Sequence, residues 1–226
     1  MSSASCEQIT SESTLKKLLL TFFCAATFGL VWADQPVVAP DVHAGNWWSY
    51  QVVDGFTNEP SVEFTYRIVD VNEREITVQL KNKNVKATEL RYYNRDWNSL
   101  DVGTVKFEPY YPGLKFPMQV GTKWKEQYHT IGTNGKSSTA FMVGGVSALE
   151  KVTVPAGVFE AYRIETHIDS HLADESADST QGQKISWYAP AIKNIVRSEV
   201  VVMSGGRVRS KTVTQLVEYS LEDVAK

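Results

Sequence analysis

The sequence has almost no cysteine. Cys6 and Cys24 are the two present, and both precede Ala33. Residues 34–226 therefore offer no disulfide, no thiolate nucleophile and no cysteine metal site. Long apolar runs are also missing. The longest, Leu18–Trp32, stops at about 15 residues, within reach of a signal-peptide core and short of a membrane span. No sign of charge dominates: 23 basic residues face 26 acidic ones, for a net charge of −3. That balance gives no electrostatic reason to expect nucleic acid or an anionic lipid surface as partner. No stretch of ten or more residues carries a helical period, and there is no fixed-period repeat, low-complexity tract or linker.

The apolar run has a function of its own. Lys16 and Lys17 precede it, and Val31-Trp32-Ala33 closes it with small residues at the two positions a signal peptidase reads. The pattern predicts a cleaved signal peptide over 1–33, with the cut after Ala33, and a periplasmic or secreted protein without a transmembrane helix. Cys24 does not match a lipid-attachment site, because Phe23 and Thr21 stand where small and leucine residues belong. Cleavage removes Lys16, Lys17, Glu7 and Glu12 together and leaves the charge balance as it was.

What remains reads as strands. In Val62–Val71, Val62, Phe64, Tyr66 and Ile68 alternate with Glu63, Thr65 and Arg67, the period-two pattern of a half-buried strand. Glu75–Lys81 repeats it after a short turn. Trp47–Val53, Ala87–Asn94, Val102–Glu108, Lys123–Ile131, Ser138–Val143, Val146–Val154, Val158–Leu172, Lys184–Tyr188, Asn194–Met203 and Arg207–Leu221 are further candidates. Asn134-Gly135, Pro155-Ala156-Gly157 and Gly205-Gly206 mark hairpin turns. Gly144-Gly145 reads as a break, Arg95–Leu100 as irregular, Pro109–Pro117 with its three prolines as a rigid loop, and His171–Gln183 as an exposed loop. The fold class is all-β: one domain over 34–226 made of a single antiparallel, strongly curved sheet or unclosed barrel of about ten or more strands.

Motifs for chemistry are weak. Gly132–Ser137 glances at a phosphate-binding loop but lacks its first glycine and its helix. Gly145–Leu149 resembles a nucleophile elbow without the second glycine. His167, Asp169 and His171 share one strand face and are weak metal candidates, since same-face neighbours lie about 6.6 Å apart, wide for one ion. As a solvated face opposite Tyr162, Ile164 and Ile168 they need no metal. No catalytic residue and no cofactor is assigned. The aromatics are more telling. Trp48, Tyr66, Tyr92, Trp97, Tyr110, Tyr111, Phe116, Trp124 and Trp187 exceed what one sheet face needs, and are candidates for lining an apolar ligand cleft.

Gln119–Trp124, then Val152–Gly157 with Phe159, Ala161 and Ile164, then Trp187–Pro190 and Ile195–Glu199, form an ordered series. It resembles a broad family of bacterial exported proteins of unknown function, with VGxxW, VPAGxFxAxxI and WYxP motifs. The chain departs from the family at Ala191–Asn194, where a glycine-containing turn is usual. The resemblance implies a fold similar to the periplasmic lipoprotein carriers, whose unclosed barrel can hold acyl chains. The expected function is non-catalytic binding of a hydrophobic or lipid-like ligand in the cell envelope. A structural protein that binds an envelope protein, and a hydrolase, are the alternatives.

Overall fold

Apolar–polar alternation carries the chain into antiparallel strands that pair in sequence order and close into a barrel. The computed structural model describes residues 35–85, 87–172 and 179–221, all within the unit Asp34–Lys226. The expected signal peptide and its cut lie outside them. Among the described residues the strands are β1 (Trp47–Asp54), β2 (Pro60–Val71), β3 (Glu75–Asn82), β4 (Thr88–Asn94), β5 (Ser99–Asp101), β6 (Val105–Tyr111), β7 (Lys123–Gly132), β8 (Ser137–Val154), β9 (Gly157–Leu172), β10 (Thr180–Ala189), β11 (Asn194–Ser204) and β12 (Arg207–Ser220). A 3₁₀ turn, Pro190–Ile192, links β10 to β11.

The barrel closes because β1 pairs on both sides. It meets β2 with Trp48 opposite Tyr66, and β12 with Trp47 opposite Ser220 through to Asp54 opposite Thr212. Closure removes the free sheet edges that an open sheet exposes. The expected curved all-β sheet is therefore present, and the unclosed form is corrected to a closed one.

Twelve strands make a wide barrel; about eight is the number whose inward side chains fill the interior. Here one end is filled from outside the ladder. Residues 35–46 and 112–122 meet there in a two-way backbone bridge between Val37 and Met118. Val42, Leu114 and Met118 are buried beneath it. Val42 joins Trp48, Ile68, Ile76, Val78 and Leu216 in one core cluster, and Leu114 and Met118 join Trp124, Tyr162, Ile164 and Tyr188 in a second. Each such fully buried large side chain contributes roughly 1.5–3 kcal/mol. The tip of the β8–β9 hairpin, which runs on past the last β10 pairing, joins the plug: the Ala156 N–H donates to the Leu216 carbonyl. The long VPAG hairpin thus serves to close one end of the barrel.

Four local expectations change. Gly144-Gly145 does not break β8, which runs 18 residues. Trp124 lies directly against the Gly144 Cα across the β7–β8 ladder, where any Cβ would collide with its indole ring. The glycine makes room for a tryptophan. β6 extends into the proline segment as far as Tyr111, with Pro109 placed just beyond its last β7 pair at Glu108, so no ladder N–H is missing. Ser99–Asp101 forms short strand β5 in the stretch read as irregular. Thr180–Gln183 pairs on both sides as part of β10 in the stretch read as loop.

The turn at Ala191–Asn194 is made without a glycine. Lys193 adopts a left-handed backbone, φ +58°, the conformation a glycine takes without strain. Its Nζ donates to the Asp41 carbonyl at 2.5 Å, tying the β10–β11 turn to the plug segment.

Because the indole of Trp124 occupies the space above Gly144, the Gly144→Ala protein is expected to lose roughly 1–3 kcal/mol of stability to overpacking. Chemical denaturation followed by tryptophan fluorescence measures the loss. An unchanged midpoint would show that the ring can shift freely.

Candidate functional site

Between the plug and the opposite end lies a cavity of about 270 Å³. It is lined by residues of eight strands and by the loop after β4. Tyr50 comes from β1, Phe64 and Tyr66 from β2, Arg91 and Tyr93 from β4, Tyr111 from β6, Lys184 from β10, and Ser198 and Thr214 from β11 and β12. Alternation places each there: Arg91 and Tyr93 face in while Leu90 and Tyr92 face out. A second pocket of about 290 Å³ adjoins it and shares Phe64, Tyr66 and Arg91. Val52, Val62, Leu80 and Val85 line this outer pocket near the β1–β2 and β3–β4 turns, at the unplugged end.

The wall is held by specific bonds. The Trp48 indole N–H donates to the Ile192 carbonyl at 2.9 Å, and the Tyr50 hydroxyl to the Ile195 carbonyl at 2.8 Å. Trp97 reaches the cavity from a tight loop. The Asn94 side-chain oxygen accepts from the backbone N–H groups of Asp96 and Asn98, and Trp97 itself sits at φ +59°. A bulky residue in that region is strained, which is uncommon outside sites that need the placement. Asn98 secures the loop by a two-way amide clamp on the Leu114 backbone, at 3.0 and 2.8 Å. Trp97 packs edge-on against Trp48 and Tyr93, with centroids 5.6 and 5.2 Å away.

The electrostatics run one way. Burial pushes the Tyr50 and Tyr93 phenols well above their ordinary range and Tyr111 up to about 12, so all three are neutral at physiological pH. Arg91 is charged; its Nη1 donates to the Tyr66 hydroxyl at 2.8 Å and its Nη2 lies 3.6 Å from the Glu89 carboxylate. Lys184 retains some accessible surface because it fronts the cavity, yet protein surrounds it. Its Nζ lies 5.7 Å from the Tyr111 ring centre and has no ion pair among the described residues. Desolvation holds its pKa below the usual lysine value.

Of the nine aromatic candidates, Tyr66, Trp97 and Tyr111 line the cavity. Trp48 backs Trp97 from the core, and Phe116 and Trp124 belong to the plug, Phe116 against Tyr188 and Trp124 donating to the Pro112 carbonyl. Trp187 donates to the Glu150 carboxylate at 2.6 Å, beneath the Arg197 guanidinium. Tyr110 sits beside the Lys115–Glu126 ion pair, and Tyr92 faces away. His167, Asp169 and His171 share the outer face of β9, where Asp169 lies 3.5 Å from His171. Among the described residues no group of three or more His, Cys, Asp or Glu is placed to hold a metal. Gly132–Ser137 is the β7–β8 turn with Gly135 at φ +76°, and Ser147 lies mid-strand in β8.

Lys184 and Arg91 were not among the aromatic candidates. Lys184 stands in phase with Ser186 and Tyr188, both buried. That phase was the available signal, a charged residue on the inward register of an aromatic strand.

No family model and no curated protein matches the sequence. Solved structures do resemble the fold. One is a chain assigned as a lipoprotein from Parabacteroides distasonis, with a TM-score of 0.53 and 12% identity, over 83% of this chain and 100% of that one. Another is an exported protein from Bacteroides fragilis described as having a YmcC-like fold, with a TM-score of 0.51 and 15% identity, over 81% and 99%. The barrel is thus a fold shared with a chain assigned as a lipoprotein and with one assigned as an exported protein.

A buried ammonium without a partner weakens the fold, so Lys184→Met is expected to stabilise the protein by roughly 1 kcal/mol or more at pH 7. The pH dependence fixes the sign. Between the depressed folded pKa and the ordinary value of 10.5, the unfolded chain holds a proton that the folded one has released. Stability in that window rises with pH, and below it the full penalty applies. Denaturation of both proteins at pH 7 and pH 10 should show the gap between them narrowing as pH rises. A variant less stable than the parent at pH 7 would contradict this account of Lys184.

Proposed function

We propose that this chain is an exported protein of the cell envelope that binds a hydrophobic or lipid-like ligand inside the barrel, without performing chemistry on it. The observation that carries this reading is the pair of adjoining pockets between the plug and the opposite end. Their combined size falls within the range of small-molecule sites, about 300–1,000 Å³. Their lining is largely aromatic and aliphatic, with a few polar groups at fixed positions. Such a lining favours a ligand with substantial apolar surface, at about 25 cal/mol per Å² removed from water.

The other features support binding rather than catalysis. The inner cavity offers no nucleophile paired with a base: Ser99 and Ser198 line it without a histidine. The outer face argues for an aqueous setting. Lys123, Lys125, Gln127 and His129 project outward from β7, and Arg163, Glu165, His167 and Asp169 from β9, where a lipid-facing barrel strand would turn apolar residues. No helix among the described residues is long and apolar enough to cross a membrane. The exported proteins that share the fold, and the signal-peptide pattern, support a periplasmic or secreted location.

Native mass spectrometry of protein purified from the periplasm is expected to show co-purifying lipid-like mass, and Ser198→Phe, which fills the cavity, to abolish it with the strand content intact by circular dichroism. Protein that carries no such mass, and takes up none from a panel of lipids, would refute the reading.

A further inference from the structure

The inner cavity holds more hydrogen-bond donors than its own walls satisfy. Among the described residues, four buried side-chain polar atoms lack a partner, and two of them, Arg91 Nε and Trp97 Nε1, belong to residues that line this cavity. Both are donors. Lys184 adds an ammonium with no ion pair and no hydrogen bond among these residues, only the face of the Tyr111 ring. Orphaned buried donors are rare in native proteins and call for an explanation. Two of them beside an unpaired ammonium share one explanation: the missing partner is an acceptor.

Charge narrows the class. No carboxylate is among the residues that line the inner cavity, while two cationic groups are. The phenols beside them are neutral and Glu89 offsets Arg91 from the neighbouring pocket, so Lys184 is the charge left without a counter-ion among the described residues. An anion would be held by charge-assisted hydrogen bonds, which are about twice as strong as neutral ones. The outer pocket differs. It contains Glu89, paired loosely with Arg91, and is otherwise dominated by aliphatic groups. Glu89 repels an anion from the outer pocket and leaves the inner cavity as its place.

Deepening the proposed function and resting on it, we propose that the ligand is an anionic amphiphile, a carboxylate or phosphate head on a single apolar chain. The head lies in the inner cavity against Lys184, Arg91 and Trp97. The chain runs past Phe64 toward Val52, Val62 and Leu80. Lys184 then has a reason to be present, since the ligand supplies the charge that the fold does not.

The test is calorimetric titration of the full purified chain with decanoate, decyl phosphate, 1-decanol and inorganic phosphate. Decanoate and decyl phosphate are expected to bind at least about tenfold more tightly than decanol, and phosphate alone not detectably. Lys184→Met and Lys184→Gln should each lower the affinity for both acids by roughly tenfold and affect decanol far less, while Lys184→Arg keeps the preference. Equal affinity for acids and alcohol, or a preference that survives in both neutral variants, would overturn the anionic head while the apolar-ligand reading stands. Inorganic phosphate binding as tightly as decyl phosphate would overturn the amphiphile. Failure of all three chain-bearing probes would overturn this inference and the proposed function together.

Discussion

Everything in this barrel follows from β1 pairing with both β2 and β12. That double pairing turns a long meander into a closed wall and leaves no strand edge exposed. It also creates a geometrical problem. A ring of twelve strands encloses more space than its inward side chains can fill, and unfilled interior forfeits both hydrophobic and dispersion stabilisation. The chain answers at one end with material from outside the ladder: the lead-in around Val42, the loop around Leu114 and Met118, and the tip of the β8–β9 hairpin. The space left between that plug and the other end is the cavity.

The plug and the cavity are coupled through a few residues. Asn98 clamps the β4–β5 loop to Leu114 in the plug, and the same loop presents Trp97 to the cavity in a strained backbone conformation. Trp48 is a member of the core and backs Trp97 edge-on. Strain in the loop is thus stabilised by packing beneath it, and the position of one cavity-facing indole depends on how the far end is filled. Lys184 lies on a different strand and has no such support. Its ammonium is desolvated and has no ion pair among the described residues.

Strand existence and hairpin turns were legible in the sequence because a half-buried strand writes its two faces as alternate residues. Val62–Val71 and Glu75–Lys81 are the plainest cases. Where expectation and structure differ, a tertiary neighbour explains it. Gly144 looked like a break, and is a landing site for Trp124. Thr180–Gln183 lacked apolar alternation, and is strand because Asp169 and Met203 flank it in register. The resemblance to exported proteins agreed with the all-β class read from the strand pattern. It could not decide closure, which depends on residues at opposite ends of the domain meeting. Of the aromatics, three of nine line the cavity; most of the rest are spent on the plug and the core, since both need large side chains and composition does not distinguish the two uses.

By itself the sequence determined the strand pattern, the hairpin turns, the absence of disulfides and thiol chemistry from residues 34–226, and the all-β class. These are properties of local periodicity and composition, and no distant contact can change them. Only the tertiary structure decided that the sheet closes, which end is plugged, and that Arg91 and Lys184, 93 positions apart, line one cavity with Trp97. Alternation tells which residues share a face of a strand. It does not tell which face is inward, nor which strands meet across the interior, because both are set by closure of the whole ring.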